Sequence, residues 1–242
     1  MNYELTKHYF KVVDDHVDET LNYKPSLIMG GIGLILLLAV KSFGGTILGL
    51  GLIALGVYYI IHQKSQIQEK KDKIQKEIEA IPTDEQYDGE VLKSLNNLRE
   101  KALSKLGIDE EEVSEIEPIS FDGYVYRGAT ELKKGKDGLF RTNKYECVQL
   151  FFSQNEVHCY TYNFDTITDK HFESTDVYFY RDIVAVSTSS EVEKVLEQNV
   201  EYETFKLTTA GGTALQVSLR DVNNAQRSIN AMRSLLRQKK SM

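Results

Sequence analysis

The chain has 242 residues, with 29 Lys and Arg against 36 Asp and Glu and a net charge of −7, a balance that excludes a general nucleic-acid binder. Its two cysteines, Cys147 and Cys159, have no C-x-x-C or metal-ligand spacing and read as reduced thiols of a cytoplasmic domain, with one disulfide as the alternative. The slightly negative mean hydropathy resembles that of a soluble protein, but it averages a strongly apolar block over residues 25–61 with a charged remainder.

The first segment, MNYELTKHYFKVVDDHVDETLNYK, sets Leu5, Tyr9, Val13, Val17 and Leu21 four residues apart. That stripe predicts an amphipathic juxtamembrane helix over 1–24, lying on a membrane surface or against a neighbour. His8 and His16 fall outside the stripe and read as solvent-facing.

Pro25–Val40 is an apolar run of 16 residues and Phe43–Ile61 one of 19. A spanning helix needs about 20 residues, or about 17 at the short end. The second run reaches this length unaided. The first does so by drawing on Leu21, Tyr23 or the loop, or by outward snorkelling of Lys41. One helix over both runs would be roughly 55 Å long against a hydrocarbon core of about 30 Å. Lys41-Ser42-Phe43-Gly44-Gly45 therefore reads as a tight turn and residues 25–62 as a transmembrane helical hairpin. A signal peptide fits poorly, because the run starts late, follows an acidic segment and is succeeded at once by a second run. A buried soluble hairpin would show a polar face, and neither run has one.

Lys64, Lys70, Lys71, Lys73 and Lys76 follow the second run, whereas the intervening loop holds only Lys41. The positive-inside rule places the C-terminal part in the cytoplasm, and an even number of spans puts the N-terminus there too. The expected location is the cell membrane, multi-pass, with both termini cytoplasmic. Gly45, Gly49 and Gly56 lie along one stripe of the second helix and mark a helix-packing groove. Its occupant is either the first helix or a second copy of the chain. No ionisable residue sits deep in either run, which argues against a proton relay, a coupled transporter or a charged pore.

The region 63–119 reads as a cytoplasmic helical linker. The second helix continues along Ile60, Ile67, Ile74 and Ile81, a seam too sparse for a coiled coil, and stops before Pro82. Thr83 and Gln86 then form a capping-box pattern. Val91, Leu92, Leu95, Leu98, Ala102 and Leu106 form one helical face, which ends at Gly107. The acidic stretch Asp109–Glu117 reads as a solvated short helix or linker.

From Ser120 the apolar period shortens to two. YVYRGA, KYECVQLFFS, EVHCYTYNF, DVYFYRDIVAVST, ETFKLTTA and TALQVSLRD read as strands, with turns at Ser153–Glu156 and Gly211-Gly212. The last helix is capped by Asp221 and presents Val222, Ala225, Ile229, Met232 and Leu236 on one face. The expected fold is a membrane protein of α+β class. It joins the N-terminal hairpin and its helical extensions to a bent antiparallel sheet or open barrel over 120–242, closed by a C-terminal helix.

This strand order, the FKLTTAGGTALQVSLRDVNNAQRSINAMRSLLRQKK ending and the VYFYRDIVAVST strand resemble the pleckstrin-homology-like group, especially bacterial PH/GRAM-like domains, over Ser120 to Lys240. The resemblance implies a domain that binds lipids, peptides or proteins and is not usually an enzyme. It also implies basic residues near the first hairpin as anionic-lipid contacts, here Lys133, Lys134, Lys136, Arg141 and Lys144. An ordinary solvated hairpin is the competing account of those residues.

No P-loop, H-E-x-x-H, G-x-S-x-G or C-x-x-C pattern occurs, and His158 and Cys159 point to opposite faces of a strand. No catalytic, cofactor-binding or metal-binding residue is expected. The chain reads as a non-enzymatic membrane scaffold whose PH-like domain binds a protein or lipid partner. The alternative is an oligomeric membrane effector, pore-forming or membrane-perturbing, of the kind used in bacterial defence, with homo-oligomers gated by the PH-like domain.

Overall fold

The computed structural model describes residues 1–39 and 43–240. Two units divide the chain. One combines Met1–Phe10 with everything from Pro82 onward, and the other is the inserted segment Lys11–Ile81. Helix α1 (Tyr3–Tyr9) belongs to the first unit, and α2 (Lys24–Ala39) and α3 (Phe43–Glu79) to the second.

In the inserted unit α2 and α3 pack antiparallel through small residues. Ser26 and Gly33 of α2 and Gly45, Gly49 and Gly56 of α3 are buried in this seam. A Cβ on Gly33 would lie 2.7 Å from the Gly49 carbonyl oxygen, and one on Gly49 would lie 2.7 Å from the Gly33 carbonyl oxygen. The backbones therefore touch directly, an approach that only glycine permits. The large apolar side chains are left outside: Leu27, Ile28, Ile35, Leu38, Ile47 and Leu48 are all exposed. Among the described residues α3 is the one helix long and apolar enough to cross a membrane, and α2 is a shorter apolar helix. Of the expected turn, Lys41 and Ser42 lie outside the described residues, while Phe43, Gly44 and Gly45 already belong to α3.

The helix expected over 1–24 is confined to Tyr3–Tyr9, and residues 11–23 have no regular structure. Short polar side chains hold that stretch in local turns. His16 N–H donates to Asp14 Oδ1 at 3.0 Å, Thr20 N–H to Asp18 Oδ1 at 2.9 Å, and Lys24 N–H to Asn22 Oδ1 at 3.2 Å. Such bonds compete with the helical ladder. The segment runs as a strap along the polar end of α3, tied by Lys11–Glu77 at 3.2 Å, by Glu19–Lys71, and by Asn22 N–H to Gln63 Oε1 at 3.0 Å. Val13, Val17 and Leu21 are half-buried on the strap, as are Ile67 and Ile74 on α3. The sparse isoleucine seam thus has its own chain beside it.

The chain re-enters the first unit at Pro82. Helix α4 (Asp84–Lys93) starts at the expected capping box: Gln86 N–H donates to Thr83 Oγ1, and Thr83 N–H to Gln86 Oε1 at 2.9 Å. The single helix expected from 83 to 107 is two. Asn97, at φ 61°, breaks it before α5 (Leu98–Leu106), which ends at Gly107 with φ 67°. Asparagine tolerates the left-handed region better than most residues, so the Asn96-Asn97 pair is where the helix turns. The interruption lets α5 bury Leu98 and Ala102 with Val113, Cys147, Phe151 and Tyr160 against the outer face of the sheet. Residues 82–113 therefore belong to the same compact unit as the sheet region.

Nine strands follow among the described residues: β1 (Ile119–Tyr124), β2 (Leu132–Lys134), β3 (Phe140–Thr142), β4 (Lys144–Phe152), β5 (Glu156–Asp165), β6 (His171–Phe179), β7 (Ile183–Val195), β8 (Gln198–Thr209) and β9 (Gly212–Ser218). They form an antiparallel sheet of order β1-β4-β5-β6, a second of order β7-β8-β9, and a β2-β3 ribbon. Two strand expectations change. The first strand is Ile119–Tyr124 and not 124–129. The run DVYFYRDIVAVST is split by a turn at Tyr180–Asp182 into β6 and β7, which belong to different sheets. The hairpin β7–β8 turns at Leu196, with φ 53°, where no glycine or asparagine announces it.

The two sheets meet where β1 crosses β9. Ser218 Oγ donates to Tyr124 O at 2.6 Å and Arg220 N–H to Asp122 O at 2.9 Å. A Cβ on Gly123 would stand 2.4 Å from Ser218 O, so glycine is required at that crossing. Helix α6 (Val222–Lys240) starts with Asn224 N–H donating to Asp221 Oδ1 at 3.0 Å. It buries Ala225, Ile229, Met232, Leu235 and Leu236 in the core that both sheets share, where Phe121 stacks on Phe205 at 4.3 Å. The architecture is α+β, with a long apolar helix in its N-terminal part and a C-terminal antiparallel sheet region.

Candidate functional site

The five basic residues expected to meet an anionic headgroup have different settings. Arg141 is buried. Its Nε and Nη2 donate to the two Asp88 oxygens, both at 2.8 Å, and Nη1 and Nη2 donate to the Asp137 oxygens at 3.0 and 2.7 Å. The Arg141 hydrogen bond in turn holds the Asp137 carboxyl down at about 2. This guanidinium is structural: it pins the β2–β3 ribbon to α4. Lys133 is also committed, because its Nζ donates to Tyr9 O at 2.8 Å and lies 4.1 Å from the centre of the Tyr9 ring. Burial lowers the Lys133 pKa. Lys134 and Lys136 are exposed on the ribbon.

Lys144 has a different setting. It opens β4 and lines a cleft of about 410 Å³ with Val125, Arg127, Asp165, Lys170 and His171, and with the aromatic residues Tyr145, Phe164 and Phe172. Sheet register assembles this cleft from distant sequence: Lys144 pairs with Asp165 across β4–β5, and Phe164 with His171 across β5–β6. Asp165 is the one acid in the lining, and its oxygens are already engaged. Oδ2 accepts from Asn143 Nδ2 at 2.8 Å, and Oδ1 accepts the Ile167 and Thr168 amides at 2.9 and 3.0 Å. Arg127, Lys144 and Lys170 thus give the cleft a positive balance, with aromatic rings in the same lining. Cations beside apolar surface suit an anion whose carrier is partly apolar. Arg127 and Lys170 could not be found by spacing, because the β1–β4 edge, where Val125 N–H donates to Lys144 O at 2.9 Å, brings in Arg127 and the β4–β5–β6 meander brings in Lys170.

Beside this cleft, α1 is docked on a floor of tyrosines. The Tyr9 ring stacks on Tyr87 at 4.2 Å, and Tyr9 OH donates to Asp84 Oδ1 at 2.7 Å. Thr6 Oγ1 donates to Thr166 O, Tyr3 OH to Asp169 Oδ1 at 3.1 Å, and the Asn2 amide to Glu90 Oε2 at 2.9 Å. Tyr9 and Thr6 are fully buried. In the sequence Tyr9 reads as part of a stripe lying on a membrane surface or against a neighbour, and nothing local distinguishes the two; in the structure it packs against a neighbour, Tyr87.

Among the described residues no group of three or more His, Cys, Asp and Glu is placed to hold a metal ion. Cys147 and Cys159 are free and buried, and burial pushes their thiols up to about 11 and about 12, so they stay protonated at neutral pH. Comparison with protein-family models, with curated proteins and with solved structures finds no match.

Proposed function

We propose that this chain is a membrane-anchored, non-enzymatic interaction protein. A two-helix hairpin holds it in the bilayer, and its sheet domain binds a phosphate-bearing anionic partner in the cleft of Arg127, Lys144 and Lys170. The observation that carries the anchoring is the composition of the first unit. Met1–Phe10 and the chain from Pro82 belong to one compact unit, which favours residues 10 and 82 on the same side of a membrane. A chain crossing once, through α3 alone, would separate them. If α3 crosses, the apolar α2 crosses back.

The apolar side chains that α2 and α3 leave outside exceed what a soluble surface normally carries, which favours lipid as their surroundings. The lysines at the polar end of α3 favour the cytoplasm for the domain. Four strands in one sheet, three in a second and a closing C-terminal helix support the PH-like reading. Gly45, Gly49 and Gly56 face α2 within one chain, which favours an anchor over an assembly made through this stripe.

Two measurements test the reading. Epitope tags at the two ends of the full chain should be digested from the same face of sealed vesicles, and tags on opposite faces would overturn it. The full chain in neutral-lipid nanodiscs should bind soluble inositol hexakisphosphate, and nanodisc-bound protein should recruit vesicles that carry anionic lipid. Binding of the first alone assigns a soluble phosphate ligand, and binding of the second alone a lipid headgroup. Lys144→Gln with Lys170→Gln should abolish either signal. Binding unchanged in that variant rejects the cleft.

A further inference from the structure

We propose that α1 is a latch whose docking is coupled to occupancy of the basic cleft through the β5–β6 loop. The proposal rests on the cleft being a binding site. The loop, residues 165–170, has two faces in use. Thr166 and Asp169 grip α1, through the Thr6 hydroxyl on Thr166 O and Tyr3 OH on Asp169. Asp165 and Lys170, with His171 just beyond, line the cleft.

The two faces are joined by a short set of hydrogen bonds. Asp165 N–H donates to Lys170 O at 2.8 Å, closing the loop, and Thr166 N–H donates to Asn143 O at 2.7 Å. Asn143 Nδ2 returns to Asp165 Oδ2 at 2.8 Å. Tyr87, on which Tyr9 stacks, bonds Thr166 Oγ1 and donates to Thr142 O, each at 2.8 Å. The residue that anchors Thr6 therefore sits next to Asp165 of the cleft and four residues before Lys170.

The element with two states is α1 itself. It spans seven residues. A helix this short is not stable alone in water, so the undocked segment is unfolded and docking is all or none. When docked it supplies the loop with two side-chain bonds from outside, which hold Lys170 toward the cleft. An anion bound to Lys170 and Lys144 stabilises the same loop conformation, so each event favours the other by the same factor.

The test uses the full chain in neutral-lipid nanodiscs with inositol hexakisphosphate as the probe. Saturating probe should slow backbone amide exchange across residues 3–10. Thr6→Val, which keeps the shape and removes the bond to Thr166 O, should weaken probe binding about 5-fold, within the usual range of coupling between sites. Tyr9→Ala should weaken it at least as much. The exchange arm uses unaltered protein and remains informative where a variant folds poorly. If Lys144→Gln and Lys170→Gln abolish binding while probe leaves exchange in 3–10 unchanged and Thr6→Val binds normally, the latch is wrong and the cleft stands. If the lysine variants bind normally, both proposals fall.

Discussion

Replacing Arg141 separates a structural role from a ligand-binding one. In Arg141→Gln the Asp88 carboxylate loses both of its 2.8 Å partners, and Asp137 loses the two bonds that hold its pKa down. Breaking a buried ion pair by removing one partner costs about 3–5 kcal/mol. Asp88 keeps 21% of its side-chain surface exposed and Asp137 keeps 50%, so water compensates part of that loss. Tyr124 OH still donates to Asp88 at 2.5 Å and limits the damage further. A loss of about 2–3 kcal/mol remains. At about 2–4 °C per kcal/mol for a chain of this size, the domain's melting midpoint should fall by roughly 4–12 °C. Near-ultraviolet circular dichroism of the full chain in detergent follows this transition through the buried tyrosines. Lys144→Gln, in the open cleft, should move the midpoint by less than about 2 °C, in keeping with surface substitutions. An unchanged midpoint in Arg141→Gln, with anion binding lost, would refute the structural assignment and restore Arg141 as a ligand contact.

Gly49→Leu should force α2 and α3 apart, because even a Cβ there meets the Gly33 carbonyl oxygen at 2.7 Å and Leu37 Cγ at 2.8 Å. A cross-link between Ser26→Cys and Gly56→Cys should form in the parent and be lost in the Gly49→Leu background, and equal yields would contradict the seam. Stability of the domain should fall as pH drops from about 4 to about 2. Asp137, held at about 2 chiefly by Arg141, has a folded pKa below its unfolded value, so the unfolded state binds more protons in that window. Asp84 acts in the same direction. Burial raises its pKa, but bonds from Tyr9 OH and the Lys136 amide, with the Arg141 charge, outweigh burial and leave it lowered. Acid titration of the melting midpoint checks both, and a midpoint flat across that window would count against them. Cys147 and Cys159 should resist maleimide in the native protein at pH 8 and react at once in denaturant; fast native labelling would contradict their burial.

Local patterns in the sequence determined the elements whose cause is local. The charge-free runs after Lys24, the Thr83 capping box, the Gly107 stop and the amphipathic face of α6 each rest on residues within a turn or two. Each is present where the pattern puts it. The stripe Leu5–Leu21 is equally regular and misleads, because Asp14, Asp18 and Asn22 accept from the backbone amides two residues on and the helix stops at Tyr9. Tertiary structure alone decided the destinations. Four-residue spacing says that Tyr9 needs an apolar partner, but not that the partner is Tyr87. A basic count around the first hairpin cannot tell Arg141, consumed by two carboxylates, from Lys144, which faces a cleft completed by Arg127 and Lys170. Burial and pairing decide whether a charge is spent on the fold or left for a partner, and both depend on contacts far apart in the chain.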